Sequence, residues 1–193
     1  MNNLDYGIIG NCRSAALVSK DASIDWCCLP KFDSASVFAK LLDDDIGGSF
    51  GFIVDESYTT NQFYLENTAI LITRFSSGTD VFEVIDFMPR YHKSNGGYHS
   101  PPEFIRYIKY ISGKPVLKVA YNPKLEYAKG VTSTYAKDDF IVSLNDEQSY
   151  DTLFLYTDLE KNAVSNGESI AITSDHFFLV GYNEKLFVPD LKY

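Results

Sequence analysis

At 193 residues and 45% hydrophobic content the chain is sized for one domain with a proper core, and no run approaches the ~20 apolar residues of a membrane-spanning helix. A formal net charge of −9 argues against nucleic acid or an anionic membrane surface, both of which recruit Lys and Arg. Three Cys cannot all pair and MNNLDYG carries no basic-then-apolar leader, so free thiols and a cytoplasmic location are expected.

In chain order, a short strand over Asp5–Ile9 leads into the densest stretch, Ile9–Leu42. Ala15–Val18 and Ile24–Leu29 are β-compatible runs separated by the turn-forming Ser19–Ser23, which predicts a hairpin. Cys27 and Cys28 then point to opposite faces of the second strand, and Pro30 ends it because proline supplies no ladder N–H. Val37, Phe38, Leu41 and Leu42 fall on one helical face behind a possible Asp33 or Ser34 cap, so a short helix is expected, stopped by Asp43-Asp44-Asp45 and Gly47-Gly48.

From Ser49 the texture becomes strand and turn: Phe50–Val54, Tyr58–Leu65, Thr68–Phe75 and Val81–Phe87, the last two joined as a hairpin by Ser76–Thr79. Arg90–Pro102 reads as one long loop, broken by Gly96-Gly97 and Pro101-Pro102, and long loops in compact domains are often functional or mobile. Strands follow at Glu103–Ile111, Val116–Tyr121, Val131–Ala136, Phe140–Leu144, Thr152–Thr157, Ser169–Thr173 and His176–Tyr182, with turn chemistry such as Asn145-Asp146-Glu147 between them. The pattern predicts an all-β fold: a large antiparallel β-sandwich, supersandwich-like, with one short helix near the N-terminus. The aromatic content, 14 Tyr and 14 Phe, favours the same class.

Each chemistry-bearing residue has a plain reading beside a functional one. Trp26, the only Trp, suits stacking on a pyranose, but on an apolar strand it reads first as core. Arg13 can pair with Asp25 or Asp33 to fix the hairpin, or reach a sugar hydroxyl at a domain junction. Lys31, Phe32 and Asp33 stand where strand is expected to become helix. His92 and His99 share the long loop without a carboxylate or Cys at ligand spacing, so no metal site and no cofactor are expected; His176 reads as a turn residue. Glu66, Glu83, Asp86, Glu103 and Glu126 alternate with apolar residues as a solvated face would, and no acid–base pair can be selected from them.

Gly10-Asn11-Cys12-Arg13, Ala16–Ser19, Ile24-Asp25-Trp26, Cys28–Ser34 and Val37-Phe38 together resemble the opening of bacterial and archaeal glycoside hydrolases of family 15, the glucoamylase-like and trehalase-like enzymes. Asp86-Phe87-Met88-Pro89 and the Arg106 strand ending in Ser112-Gly113 are similar to later elements of that family, so the resemblance covers essentially the whole chain. Asn11 stands where Asp is usual, Ala22 where Gly is usual, Ala35 where Pro is usual and Cys27 where Leu is usual. Ala22 is notable because a left-handed turn position is easy for Gly and costly for Ala.

The resemblance implies an N-terminal β-sandwich domain, residues 1–193, followed by an α/α-barrel that carries two catalytic glutamates. The barrel is not seen before Tyr193, so this part alone is expected to be inactive. Arg13, Trp26, Lys31, Phe32 and Asp33 become candidates for the interface with the barrel or the rim of its active site. An independent carbohydrate-binding module taking an α-glucoside, or a homo-oligomerisation domain, are the other readings.

Overall fold

Period-two alternation is visible from the first strand onward: in β1 (Tyr6–Gly10) Gly7 and Ile9 are buried while Ile8 is exposed. The computed structural model describes residues 5–146 and 151–186; Glu147, expected in a turn, lies outside the described residues. β1, β2 (Ala15–Ser19), β3 (Ile24–Cys28), β5 (Ser49–Ile53), β12 (Val116–Asn122) and β16 (Ser169–Ala171) form one sheet in that spatial order, with β4 (Ser36–Phe38) also paired to β3. The second sheet runs β13 (Thr132–Ala136), β14 (Ile141–Asn145), β15 (Thr152–Thr157), β17 (His176–Tyr182), β11 (Glu103–Ser112), β8 (Asp80–Phe87), β7 (Leu71–Ser77) and β6 (Thr59–Tyr64). All of these pairings are antiparallel, and the result is an all-β sandwich.

The inner faces meet through aromatic rings. Phe38 and Phe50 from the first sheet touch Phe104 and Phe178 from the second, with Phe50 and Phe178 edge to face at 5.6 Å, and all four are fully buried. Among the described residues one charged pair is fully buried in this interior. Arg106 and Asp86, both fully buried, stand opposite each other on β11 and β8, and Arg106 also donates to the carbonyls of Phe50 and Ala22 in the first sheet and its turn. The pair therefore ties the two sheets together. At one edge the Tyr64 hydroxyl both accepts from the Ile8 N–H, 2.7 Å, and donates to the Ile8 carbonyl, 3.0 Å, covering part of the open side of β1.

The helix expected after Pro30 does not form. Ser36, Val37, Phe38 and Ala39 are buried in succession, which a one-faced surface helix cannot achieve, and β4 instead pairs with β3 through Cys27–Phe38 and Cys28–Ser36. Ser34 closes a turn on Lys31 through its backbone N–H and its hydroxyl, and the exposed Asp33 caps no helix. A five-residue helix occurs later, at Lys161–Ser165, with the Glu160 carboxylate accepting from the Ala163 N–H at 2.6 Å.

Leu125–Ala128 also turns helically, but Glu126, Tyr127 and Ala128 have φ of 54°, 57° and 58°. It is a left-handed turn, a conformation costing roughly 1–2 kcal/mol per L-residue. Burial of Leu125, a bond from the Leu125 N–H to Thr132 Oγ1 and one from the Lys124 N–H to the Val37 carbonyl hold it in place. Ala22 likewise adopts the left-handed conformation, at φ 55°, in the turn between β2 and β3.

Candidate functional site

The hairpin read from the sequence puts two cross-strand rows back to back. Ile9, Ala16 and Cys27, all at 0% exposure, face the core; Ile8, Leu17 and Trp26, paired in the same way, face outward. Among the described residues the outward row is left partly open. Ile8 is 54% exposed and Trp26 is half-buried, and with Cys12, Ser14, Cys28, Phe32 and Ala69 they line an open depression of about 560 Å³. Phe32 is 62% exposed, and Tyr127 on the left-handed turn brings its ring to 6.3 Å from Trp26 at a tilt of 43°.

At the polar end of this face, Asp25 is buried under hydroxyl donors from Tyr6, 3.0 Å, and Ser23, 2.6 Å. Burial and the Asp25 carboxylate push the Tyr6 phenol up to about 12. The residues that resemble a family motif thus shape this surface from its two ends.

The loop Arg90–Pro102 contains a two-stranded ribbon, β9 (Tyr91–His92) and β10 (Tyr98–His99), where the sequence predicted no regular structure. Asn11, only 1% exposed, fastens both feet of it. The Asn11 side-chain amide donates to the carbonyls of Pro89, 3.3 Å, and Pro101, 2.9 Å, while the Ser100 hydroxyl donates to the Asn11 carbonyl at 2.9 Å. Asn11 Oδ1 accepts from the N–H groups of Arg13 and Ser14, so the motif loop and the ribbon are one unit. Beside it a second depression, about 490 Å³, runs from Gly10, Cys12 and Ala69 to Arg90 and Tyr91. It shares those first three residues with the Trp26 depression, making the two surfaces continuous.

The structure brings Arg13, Trp26 and Phe32 to one region, with Lys31 and Asp33 exposed in the adjoining turn. Two expectations are corrected. Trp26 is not core, because the Leu17–Trp26 pair lies on the outer face of β2 and β3. Arg13 pairs with neither Asp25 nor Asp33: it is exposed, its guanidinium donates to the Ser100 carbonyl at 3.4 Å, and Asp25 is committed to Tyr6 and Ser23. Cys27 and Cys28 are buried thiols on opposite sides of the strand, whereas Cys12 is exposed.

His92 and His99 point to opposite faces of the ribbon, each against the Tyr across from it, which prevents them from sharing a metal ion. His176 starts β17 and bonds Asp158 at 2.8 Å. Among the described residues no cluster of three metal-ligating side chains occurs, and no helix is long and apolar enough to cross a membrane.

The five carboxylates considered from sequence do not form a uniform solvated face. Asp86 is neutralised by Arg106, Glu83 is buried against Arg74 at 2.6 Å, and neither is available as a proton donor or acceptor for a bound sugar. Glu66 is exposed. Burial and the nearby Glu184 raise Glu103 above its ordinary range. A hydrogen bond with Asp151, together with burial, raises Glu126 in the same direction. Hydrogen-bonded to each other, the Glu126 and Asp151 carboxyls are not set apart around a sugar as the two acids of glycoside hydrolysis are. None of the five lines either depression around Cys12.

Reading residue by residue missed Asn11 as a clamp, the left-handed turn carrying Tyr127, and the Arg106–Asp86 pair. The pair did leave a signal, since Phe104-Arg106-Ile108 and Phe82-Val84-Asp86 are period-two rows whose other members are core.

Residues 5–150 match the family described as trehalase-like, N-terminal. The chain is 31% identical over 176 residues to the trehalase of Thermoplasma volcanium, covering 90% of this chain and 26% of that protein. It is 33% identical over 144 residues to trehalase 2 of Sulfolobus acidocaldarius, covering 75% and 22%. With the trehalase of Mycobacterium tuberculosis it shares 27% identity over 176 residues, covering 80% and 25%. The chain thus spans about a quarter of the length of these curated relatives. No solved structure matches. The match over residues 5–150 agrees with the resemblance carried by the Gly10–Phe38 motifs, and the chain belongs to the trehalase-like N-terminal family.

Proposed function

We propose that this chain is the non-catalytic N-terminal domain, residues 1–193, of an α-glucosidic hydrolase of the trehalase or glucoamylase type, and that it seats the catalytic α/α-barrel of the same polypeptide on the outer face of its first sheet. The carrying observation is the partly open row Ile8–Leu17–Trp26 with Phe32, an apolar surface built from the most family-like stretch of the chain. Its continuity with the Asn11-clamped ribbon puts Arg13 and the ribbon where they can contribute to the rim of a neighbouring active site. The spread of the carboxylates supports the assignment of bond cleavage to the barrel.

An independent carbohydrate-binding module would use the same aromatic residues. The 43° tilt between the Trp26 and Tyr127 rings breaks up the flat platform that stacking on a chain of glucosyl units favours. Homo-oligomerisation through the same face is the remaining alternative.

The test uses Trp26, the only Trp of the chain, as its own reporter. Mixing the domain with the separately produced catalytic region should shift its emission to the blue and give a stable co-purifying complex, and Phe32→Asp should abolish both. A shift produced by the domain alone as its concentration rises would favour the homo-oligomer. A shift produced by trehalose or maltooligosaccharide alone would favour the binding module.

A further inference from the structure

We propose that the β9–β10 ribbon is a substrate arm, which reaches the rim of a carboxylate-lined catalytic cleft and there contacts the glucosyl unit of an α-glucoside through Tyr98, Arg90 and His92. This rests on the docking reading above and adds to it the residues that touch sugar. The ribbon is chemically unlike the rest of the chain. Residues 90–102 hold Arg90, His92, Lys93, His99, Tyr91 and Tyr98 and no Asp or Glu, in a protein of net charge −9. A glycosidase cleft needs at least two carboxylates, so a positively charged arm complements it electrostatically while the bulk of the domain does not.

The arrangement on the ribbon suits a polyhydroxylated ring. Tyr98 and His92 face each other across the strands with ring centroids 4.1 Å apart, and the Arg90 guanidinium lies 4.0 Å from the centre of the Tyr98 ring. Arg90 and His92 lie against the Tyr98 ring, so Tyr98 offers a sugar its exposed edge and phenol hydroxyl, and the planar guanidinium and imidazole offer directed donors to the sugar hydroxyls. Arg90 is exposed, as is Tyr98 at 54%.

Position and rigidity point the same way. A two-stranded ribbon without a core is marginally stable, yet here both feet are held by the buried Asn11, with Ser100 and Arg13 adding bonds at the second foot. A partner seated on Trp26 extends along the shared floor of Gly10, Cys12 and Ala69 to the foot of the ribbon at Arg90. A docked catalytic region therefore has the arm at its edge.

The experiment introduces Tyr98→Ala and Arg90→Ala, separately, into the polypeptide that unites this chain with its catalytic region, and measures hydrolysis of trehalose and of maltose. On the substrate the enzyme prefers, KM rises about tenfold or more in each variant and kcat changes far less, while the same substitutions in the separate domain leave its Trp26 shift on mixing with the catalytic region at the wild-type value. Unchanged KM with docking intact overturns the arm alone, and so does loss of docking in the arm variants, which would make the ribbon a structural contact. Failure of the wild-type domain to dock removes both readings. A second measurement does not depend on the variants: the imidazole NMR signal of His92 in the assembled protein shifts on adding substrate, while His176, on the other sheet, does not. Movement of neither signal at saturating substrate counts against the arm.

Discussion

Arg106 and Asp86 are cross-strand partners with no solvent exposure, joined by bonds of 2.8 and 3.1 Å, and two further N–H groups of Arg106 reach the carbonyls of Phe50 and Ala22 on the other side of the core. Burial pushes the Asp86 carboxyl above its ordinary range, and the guanidinium pulls it back. Arg106→Ala strands a carboxylate and two carbonyls in the interior, and a loss of about 3–5 kcal/mol in denaturant unfolding is expected. The joint replacement Arg106→Met with Asp86→Leu should cost much less than the sum of the single changes, because it leaves no buried charge without a counterion. Additive losses would show that the pair does not act as a unit.

The hydrogen bonds of Asn11 explain why an amide suits this position better than a carboxylate. Its oxygen accepts from the Arg13 and Ser14 N–H groups, which a carboxylate can also do; its nitrogen donates to the Pro89 and Pro101 carbonyls, which a carboxylate cannot. Asn11→Asp should therefore cost about 1–3 kcal/mol and loosen the ribbon. Hydrogen exchange ought to accelerate in residues 90–101 and stay unchanged in β8 and β11. Uniform acceleration across the domain would instead mark Asn11 as a general stability residue.

Trp26 separates the stability role from the surface role. A fully buried Trp would cost about 3–5 kcal/mol on truncation to Ala; from the half-buried outward row the expected loss is nearer 1–2 kcal/mol. Thermal unfolding of Trp26→Ala checks the magnitude. The same variant should weaken association with the catalytic region by at least tenfold, since large aromatic residues dominate such contacts.

The hairpin, the alternation of the strands and the sandwich class were legible because period-two patterning and turn chemistry are local properties. The helix expected at Val37–Leu42 failed because β3 offered unpaired backbone at just that point, and satisfying it outweighed a one-faced apolar pattern. Trp26 departs from the core expectation for a related reason. Its neighbours Ile24 and Cys27 are core, but the ladder shifts register between Leu17 and Val18, and only the shifted ladder shows which side Trp26 takes. The Asn11 clamp joins residues 78 and 90 positions apart, and no local pattern encodes that.

The turn carrying Tyr127 should respond to pH. The Glu126 carboxyl hydrogen-bonds to that of Asp151, which also accepts from the Tyr182 hydroxyl, and this bond together with burial raises Glu126 above its ordinary value of 4.5, against the pull of Lys129. A carboxyl whose folded value is raised contributes stability that is complete below 4.5 and disappears as pH climbs through the raised value. Once the proton is gone, two facing carboxylates repel at a turn that already bears three left-handed residues, and the Tyr127 ring loses its fixed place beside Trp26. Trp26 emission should accordingly titrate with a midpoint above 4.5. Glu126→Gln keeps a donor toward Asp151 at every pH and should flatten the curve; an identical titration in that variant would assign the transition to another group.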